Sequence, residues 1–159
     1  MFLLYQLCIT GKKKPTKKNL EIRKKMTLQV CIMTPDRIFW NEQAEEIILP
    51  TNTGQMGVLA SHAPLITALD IGVMLIRSKN EWISVALMGG FALVKQNQVT
   101  VLVNEAESAK TINSEEAESV FASAKTKLEE AEGQKQKVEA NFAFKRARAR
   151  YQVVKQTQN

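Results

Sequence analysis

The chain has 159 residues, 45% of them apolar and 24% charged, which suits an ordinary globular domain with a small appendage and argues against full disorder. Its formal charge of +6 invites a nucleic-acid or membrane-surface reading, but residues 1–25 carry Lys12, Lys13, Lys14, Lys17, Lys18, Arg23, Lys24 and Lys25 against Glu21 alone, a net of +7 that leaves −1 for everything after them. A basic balance confined to one tail is a poor footprint for phosphate binding by the folded part, so a nucleic-acid module is not expected.

The apolar stretch from Phe2 to Ile9 is far short of the roughly 20 residues of a membrane span. Its basic residues follow it where those of a secretory signal would precede it. Residues 1–25 are therefore expected to form a disordered basic extension, and the start of the protein is either Met1 or Met26. Cys8 and Cys31, one in this tail and one in a strand-like run, give no disulfide framework and fit a reducing compartment.

From Leu28 to Val103 short apolar runs alternate with turn chemistry. The runs are Leu28 to Thr34, Arg37 to Trp40, Ala44 to Leu49, Gly72 to Arg77, Trp82 to Leu87, Phe91 to Val94 and Val99 to Val103. Pro35-Asp36, the stretch from Pro50 to Gly57, Lys79-Asn80-Glu81 and the stretch from Lys95 to Gln98 separate them. Their length, spacing and β-branched content predict an antiparallel sandwich or barrel over residues 26–109, with Ile47, Val85, Leu87, Val101 and Val103 in its core.

All four prolines lie in the first 64 residues, and after Gly90 the only glycine is Gly133. Long uninterrupted elements are expected there, and residues 110–159 read as an antiparallel helical hairpin. Ala117, Val120, Phe121, Ala124, Leu128 and Ala131 recur at three- and four-residue spacing, the period of one helix face. Asn113 with Glu116 forms a capping pattern at its start, and Gly133 is expected to stop it. A second helix is expected from about Lys135 to Lys155. The first helix nets −4 and the second +6, so the two attract, although packing must hold them. The second helix carries two apolar stripes, Ala140, Phe144, Ala147, Tyr151 and Val154 on one side and Val138, Phe142, Ala149 and Val153 nearly opposite.

Catalytic chemistry is scarce. His62 is the only histidine, and no phosphate-binding glycine loop, dinucleotide fingerprint or zinc-protease motif is present. Gly89-Gly90 reads as a bulge or a tight backbone approach. No metal, cofactor or small-molecule substrate is expected, and an enzyme is not expected.

Gly54-Gln55-Met56-Gly57-Val58-Leu59, then Ser61-His62-Ala63-Pro64-Leu65, then Ala86-Leu87-Met88-Gly89-Gly90-Phe91 resemble the signature of the epsilon subunits of F-type ATP synthases. Met26-Thr27-Leu28 and Leu49-Pro50-Thr51 fit the same pattern. The run from Glu139 to Arg150 resembles the second helix of the chloroplast branch, and the match covers Met26 to Lys155. The resemblance implies a ten-stranded β-sandwich followed by a helical hairpin. It also implies a non-catalytic central-stalk, or rotor, subunit that links the gamma subunit to the c ring for proton-driven ATP synthesis. The setting it implies is chloroplast, peripheral on the stromal side of the thylakoid membrane.

Within that resemblance, Gly54, Gln55, Met56, Gly57, Val58, Leu59 and His62 are expected at the interface with the ring and gamma, on a glycine-flanked loop able to present backbone polar groups. Lys145, Arg146, Arg148 and Arg150 are expected to form an inhibitory helix face that reaches an acidic loop of the catalytic beta subunit and restrains ATP hydrolysis. Bacterial relatives that bind ATP carry an Asp and an Arg at the start of the first helix. Here Asn113 and Glu116 stand in those places, and an acidic residue there repels phosphate, so nucleotide sensing is not expected.

Overall fold

The computed structural model describes residues 27–157; the expected basic extension and the choice between Met1 and Met26 lie outside the described residues. Eight strands follow in chain order: β1 (Leu28–Met33), β2 (Ile38–Ala44), β3 (Glu46–Thr51), β4 (Gly54–Leu59), β5 (Leu65–Ser78), β6 (Glu81–Lys95), β7 (Gln98–Val103) and β8 (Ala106–Ser108). A 3-10 turn at Ala109–Thr111 leads to helices α1 (Ser114–Glu130) and α2 (Gln134–Thr157).

The hydrogen-bonded path runs β2-β1-β7-β6-β5-β3-β4, with β8 beside β6. Only β1 and β7 pair in parallel; the other ladders are antiparallel. The path folds over on itself. β2 approaches β5, the Glu45 N–H donates to the Arg77 carbonyl at 2.8 Å, and the Ser78 hydroxyl donates to the Gln43 carbonyl at 3.2 Å.

Turn chemistry sets the hairpins. Lys79-Asn80 and Gln96-Asn97 all have positive φ and sit between the closing pairs Ser78↔Glu81 and Lys95↔Gln98. Two such residues in succession make the turn whose twist matches that of its strands, and asparagine tolerates the left-handed region. Asn97 does more: its Oδ1 accepts from the Ser61 N–H at 2.6 Å, tying the segment after β4 to this turn.

The eight strands stand where ten are expected, and the difference lies in β5 and β6, 14 and 15 residues long. Their pairing passes from Leu69↔Gly90 to Ile71↔Met88 without an Asp70↔Gly89 pair, and Gly89 and Gly90 have φ of +75° and +154°. At this corner β6 changes its outer neighbour, from β8 along Val85–Leu87 to β7 along Gly90–Lys95. Divided at the corner, the two long strands supply the two missing ones. The tight backbone approach read at Gly89-Gly90 is thus a bend between layers.

Alternation places Leu28, Val30 and Ile32 of β1, Ile47 and Leu49 of β3, and Val99, Val101 and Val103 of β7 in the main core. Near the corner, β5 and β6 are covered on both faces. Met74, Val85 and Leu87 point into the sandwich, while Val73, Ala86 and Met88 point out to the helices. That double burial explains the uninterrupted run Ser84–Met88, which carries no polar face beyond Ser84.

Helix α1 begins at Asn113, whose Oδ1 accepts from the Glu115 and Glu116 N–H groups at 3.0 and 3.1 Å. It ends earlier than the glycine suggests: Ala131 leaves in an extended conformation, and Gly133, at φ +78°, sits instead at the entry to α2, where its carbonyl accepts from the Lys137 N–H. The two stripes of α2 take different partners, except that Val154 of the first joins the cluster of the second. Phe144 and Tyr151 meet Phe121 of α1 at ring-centroid distances of 5.6 and 4.9 Å. Ala149 and Val153 join Val73, Ala86 and Met88 in a second apolar cluster against the sandwich. The buried residues of α2 begin only at Ala147, so Val138 and Phe142, on the same stripe, stay 50% and 55% exposed.

Candidate partner-binding surfaces

Three surfaces stand out. The first is β4, where sequence reading placed a loop. Thr51 and Gly54 close a hairpin around Asn52-Thr53, and residues 54–59 pair along β3 as an edge strand. Gly54 has φ +129°, a conformation that glycine adopts readily, and its carbonyl accepts from the Thr51 hydroxyl at 2.8 Å. The stretch has few β-branched residues and two glycines, which hid the strand from propensity; its pairing with β3 overrides that bias.

Strand alternation divides the expected interface residues between the core and solvent. Val58 is fully buried in the core, because residues two apart along a strand share a face and this one faces inward. Met56 is half buried and packs against the same core. Gln55, Gly57 and Leu59 face solvent, Leu59 at 57% exposure. Gly54 lies exposed at the hairpin end. His62 sits in the turn after β4, half buried. Its N–H donates to the Leu59 carbonyl at 3.2 Å, and its Nδ1 lies 2.8 Å from the Ala63 carbonyl, which can only accept.

The second surface is an outer patch that sequence reading missed. Ile66, Phe91, Leu93 and Leu102 are 72%, 61%, 43% and 53% exposed, and the register makes them neighbours, Ile66 opposite Leu93 and Phe91 opposite Leu102. Large apolar groups on adjacent strands that point away from the core mark a contact surface more than chance exposure does. A groove of about 650 Å³ continues the patch past Asp70 and Leu102 to Phe142 of α2. The usable signal was the alternation in Gly90–Val94, where Phe91 and Leu93 fall on the face opposite Ala92 and Val94.

The third surface is the basic face of α2. Three of its four expected cations are already paired to the sandwich. Lys145 Nζ lies 2.6 Å from Asp70 Oδ2, Arg146 pairs with Glu105, and Arg150 Nε lies 3.0 Å from Glu107 Oε2. Arg148 is exposed and has no ion pair among the described residues. Lys155 reaches Glu118 of α1. Around Asp70 partial burial pushes the carboxyl pKa up, but the hydrogen bonds from Lys145 and the Ile71 N–H, with the Lys145 charge, outweigh it and hold the group below its ordinary value of 3.8. Among the described residues no group of side chains has the makeup of a metal site, and no helix is long and apolar enough to cross a membrane.

A strand sandwich bearing a docked two-helix arm, with exposed contact faces on both parts, defines an assembly subunit. Two family models divide the chain in the same way: the ATP synthase delta/epsilon chain beta-sandwich domain matches residues 27–109, and the long alpha-helix domain of the same chain matches residues 104–155. The ATP synthase epsilon chain, chloroplastic, of Chlorella vulgaris is 80% identical over 131 residues, which cover 82% of this chain and 98% of that one. The chain belongs to the ATP synthase delta/epsilon chain family, a non-catalytic subunit of a chloroplast enzyme.

Two solved structures share the fold at low identity. A chain of the Euglena gracilis mitochondrial ATP synthase, in a structure of its OSCP/F1/c-ring in rotational state 1, aligns with a TM-score of 0.70 at 20% identity, covering 84% of this chain and 82% of that one. A chain of the Tetrahymena thermophila mitochondrial ATP synthase central stalk and c-ring aligns with a TM-score of 0.59 at 18% identity, covering 80% and 96%.

Proposed function

We propose that this chain is a rotor subunit of the chloroplast ATP synthase, peripheral on the stromal side of the thylakoid membrane. Its sandwich joins the gamma subunit to the c ring, and its helical hairpin restrains ATP hydrolysis by the catalytic beta subunits. The observation that carries this reading is the separation of surfaces. The sandwich has two exposed faces of different chemistry, while the cations of α2 lie on a separate arm that can be lost without opening the main core.

The apolar patch of Ile66, Phe91, Leu93 and Leu102 suits the gamma shaft, since burying such side chains stabilises a complex by about 25 cal/mol per Å² before ordering costs. The exposed part of β4 and its following turn, comprising Gly54, Gln55, Gly57, Leu59, the rim of Met56 and His62, suits the polar loops of the ring. Lys145, Arg146, Arg148 and Arg150 suit an acidic loop of the beta subunit, because guanidinium groups pair with carboxylates in two-pronged geometry.

The test is reconstitution with Phe91→Glu. Binding to isolated gamma should weaken at least tenfold while the melting temperature stays near that of the parent, because Phe91 contributes little to the core. Unchanged gamma binding would move the shaft contact off this face.

A further inference from the structure

One opening of the sandwich belongs to none of the three surfaces above. It is a slot of about 800 Å³ lined by residues 37–40, residues 81–85 and Lys110, with the last turn of α2 closing one side. Consecutive residues of a strand point to opposite faces, and β6 follows this rule: Val85 points into the main core, while the Ser84 hydroxyl donates to the Val153 carbonyl of α2 on the outer face at 3.5 Å. A slot that touches every residue from 81 to 85 therefore runs along the edge of β6, where the backbone itself is presented.

That edge is open. β5 pairs with β6 as far as Glu81 on one side, but on the other β8 stops opposite Val85 and β7 begins only at Gly90. The Met88 N–H points to this second side, where it donates to the Glu105 carbonyl at 3.0 Å. Backbone direction repeats every two residues, so Trp82 and Ser84 turn their N–H and C=O groups into the slot. Among the described residues no strand meets them there. Open edges are normally guarded by lysine, proline or a bulge, and Trp82-Ile83-Ser84 has none of these.

Across the slot, β2 carries a bulge: its pairing steps from Ile32↔Trp40 to Met33↔Ile38, leaving Phe39 without a partner. Bulges re-aim side chains, and Phe39 and Trp40, though consecutive, both pack against the main core. Ile38, Trp82 and Ile83 remain 60%, 48% and 38% exposed, so the walls are apolar. The charges at the mouth are uneven. Lys110 has no ion pair among the described residues, and Arg37 has only a 3.9 Å contact with its exposed neighbour Asp36, against the single acid Glu81.

We propose that this slot receives an extended peptide from another polypeptide, which adds to β6 in line with β8, inserts apolar side chains at alternate positions and carries an acid toward Arg37 or Lys110. The site stands apart from the ring, shaft and beta-subunit contacts proposed above. An open strand edge offers main-chain hydrogen bonds that an acyl chain cannot use, which favours a peptide over an anionic amphiphile of the same polarity.

The experiment titrates the full chain with an acetylated, amidated heptapeptide of sequence Asp-Val-Thr-Val-Thr-Val-Asp. Trp40 and Trp82 are the only tryptophans of the chain and both line the slot, so binding should shift their emission. The Trp82 and Ser84 amides should then exchange on the order of tenfold more slowly. The same peptide N-methylated at alternate residues, unable to donate along one edge, should bind on the order of tenfold more weakly. Arg37→Glu combined with Lys110→Glu should weaken the acidic peptide without lowering the melting temperature, because both side chains are exposed. An emission shift with unchanged exchange at Trp82 and Ser84, matched by sodium laurate, overturns strand addition in favour of an amphiphile. Binding seen only in a chain that begins at Met26, which keeps every described element, makes the leading residues of the chain itself the occupant and overturns the partner. No response to this peptide, or to its counterparts with leucine or phenylalanine in the valine places, overturns the site.

Discussion

Gly90 and Leu102 approach so closely across β6 and β7 that a Cβ placed on Gly90 would stand 2.0 Å from the Leu102 carbonyl oxygen. Backbone, not a movable side chain, fills that space, and the glycine φ of +154° is one that other residues rarely adopt. Gly90→Ala should therefore destabilise the sandwich by about 3 kcal/mol or more, through overpacking and backbone strain together. Urea unfolding followed by tryptophan fluorescence checks this, and a loss under about 1 kcal/mol would mean the strands separate easily there.

Adjacent positions on β4 should behave in opposite ways. Val58→Ala should lower stability by about 2 kcal/mol by leaving a cavity, with ring binding unchanged once the protein is folded. Leu59→Glu should leave the melting temperature within a degree or so, because the side chain is 57% exposed, and should weaken binding to the isolated c ring. Paired melting and ring co-sedimentation measurements separate the two effects, and equal ring binding by Leu59→Glu and the parent would remove β4 from the interface.

Both surprises at this strand have the same physical origin. The strands that announced themselves in sequence, such as Val99–Val103, alternate cleanly and carry β-branched residues. Residues 54–59 carry one β-branched residue, Val58, and two glycines, and their pairing with β3 makes them a strand. The first half of β5 was hidden because Thr67 and Asp70 interrupt an apolar run that ends at the corner. The two apolar stripes of α2 were legible because a helix has a fixed period, and Asn113 was legible because few side chains can cap. The pairing of Lys145, Arg146 and Arg150 to the sandwich was not, since the facing acids lie about 40 to 75 positions earlier in the chain and no local pattern links them.

Asn113→Ala should remove the acceptor for two backbone N–H groups and weaken α1 by about 1 kcal/mol. The loss should show as faster hydrogen exchange in the first turn of α1, with the sheet unaffected. If exchange there matched that of the parent, water would be serving those donors equally well.

The Lys145–Asp70 pair gives a pH prediction with a definite sign. The folded carboxyl lies below its ordinary value of 3.8, so the stability it contributes is fully present above that value and is lost as pH falls through the lower folded one. Hairpin docking should thus be flat between roughly pH 5 and 8 and should weaken only in stronger acid. Methyl signals of Val153, which is buried against the sheet, report docking of α2 in NMR. Asp70→Asn should remove this carboxylate's part of the acid transition, and a midpoint near neutrality in the parent would contradict the assignment.

Arg148 allows the proposed contact with an acidic loop of the beta subunit to be tested without disturbing the ion pairs that hold α2 to the sandwich. Removing Lys145, Arg146 or Arg150 changes both, since each is paired to the sandwich, but Arg148 is exposed and unpaired among the described residues. Arg148→Glu should leave stability within about 0.5 kcal/mol of the parent and α2 exchange unchanged, yet hydrolysis by the assembled enzyme should rise because an acid now faces an acidic loop. Truncation after Thr111 sets the upper limit: it removes both helices, uncovers Val73, Ala86 and Met88 and lowers the melting temperature. It keeps all eight strands, so proton-driven synthesis should persist while hydrolysis is fully released. If truncation released hydrolysis but Arg148→Glu remained as restrained as the parent at low and high salt, charge would not be the brake. The apolar stripes of α2, packed against the shaft after leaving the sandwich, would then carry the restraint.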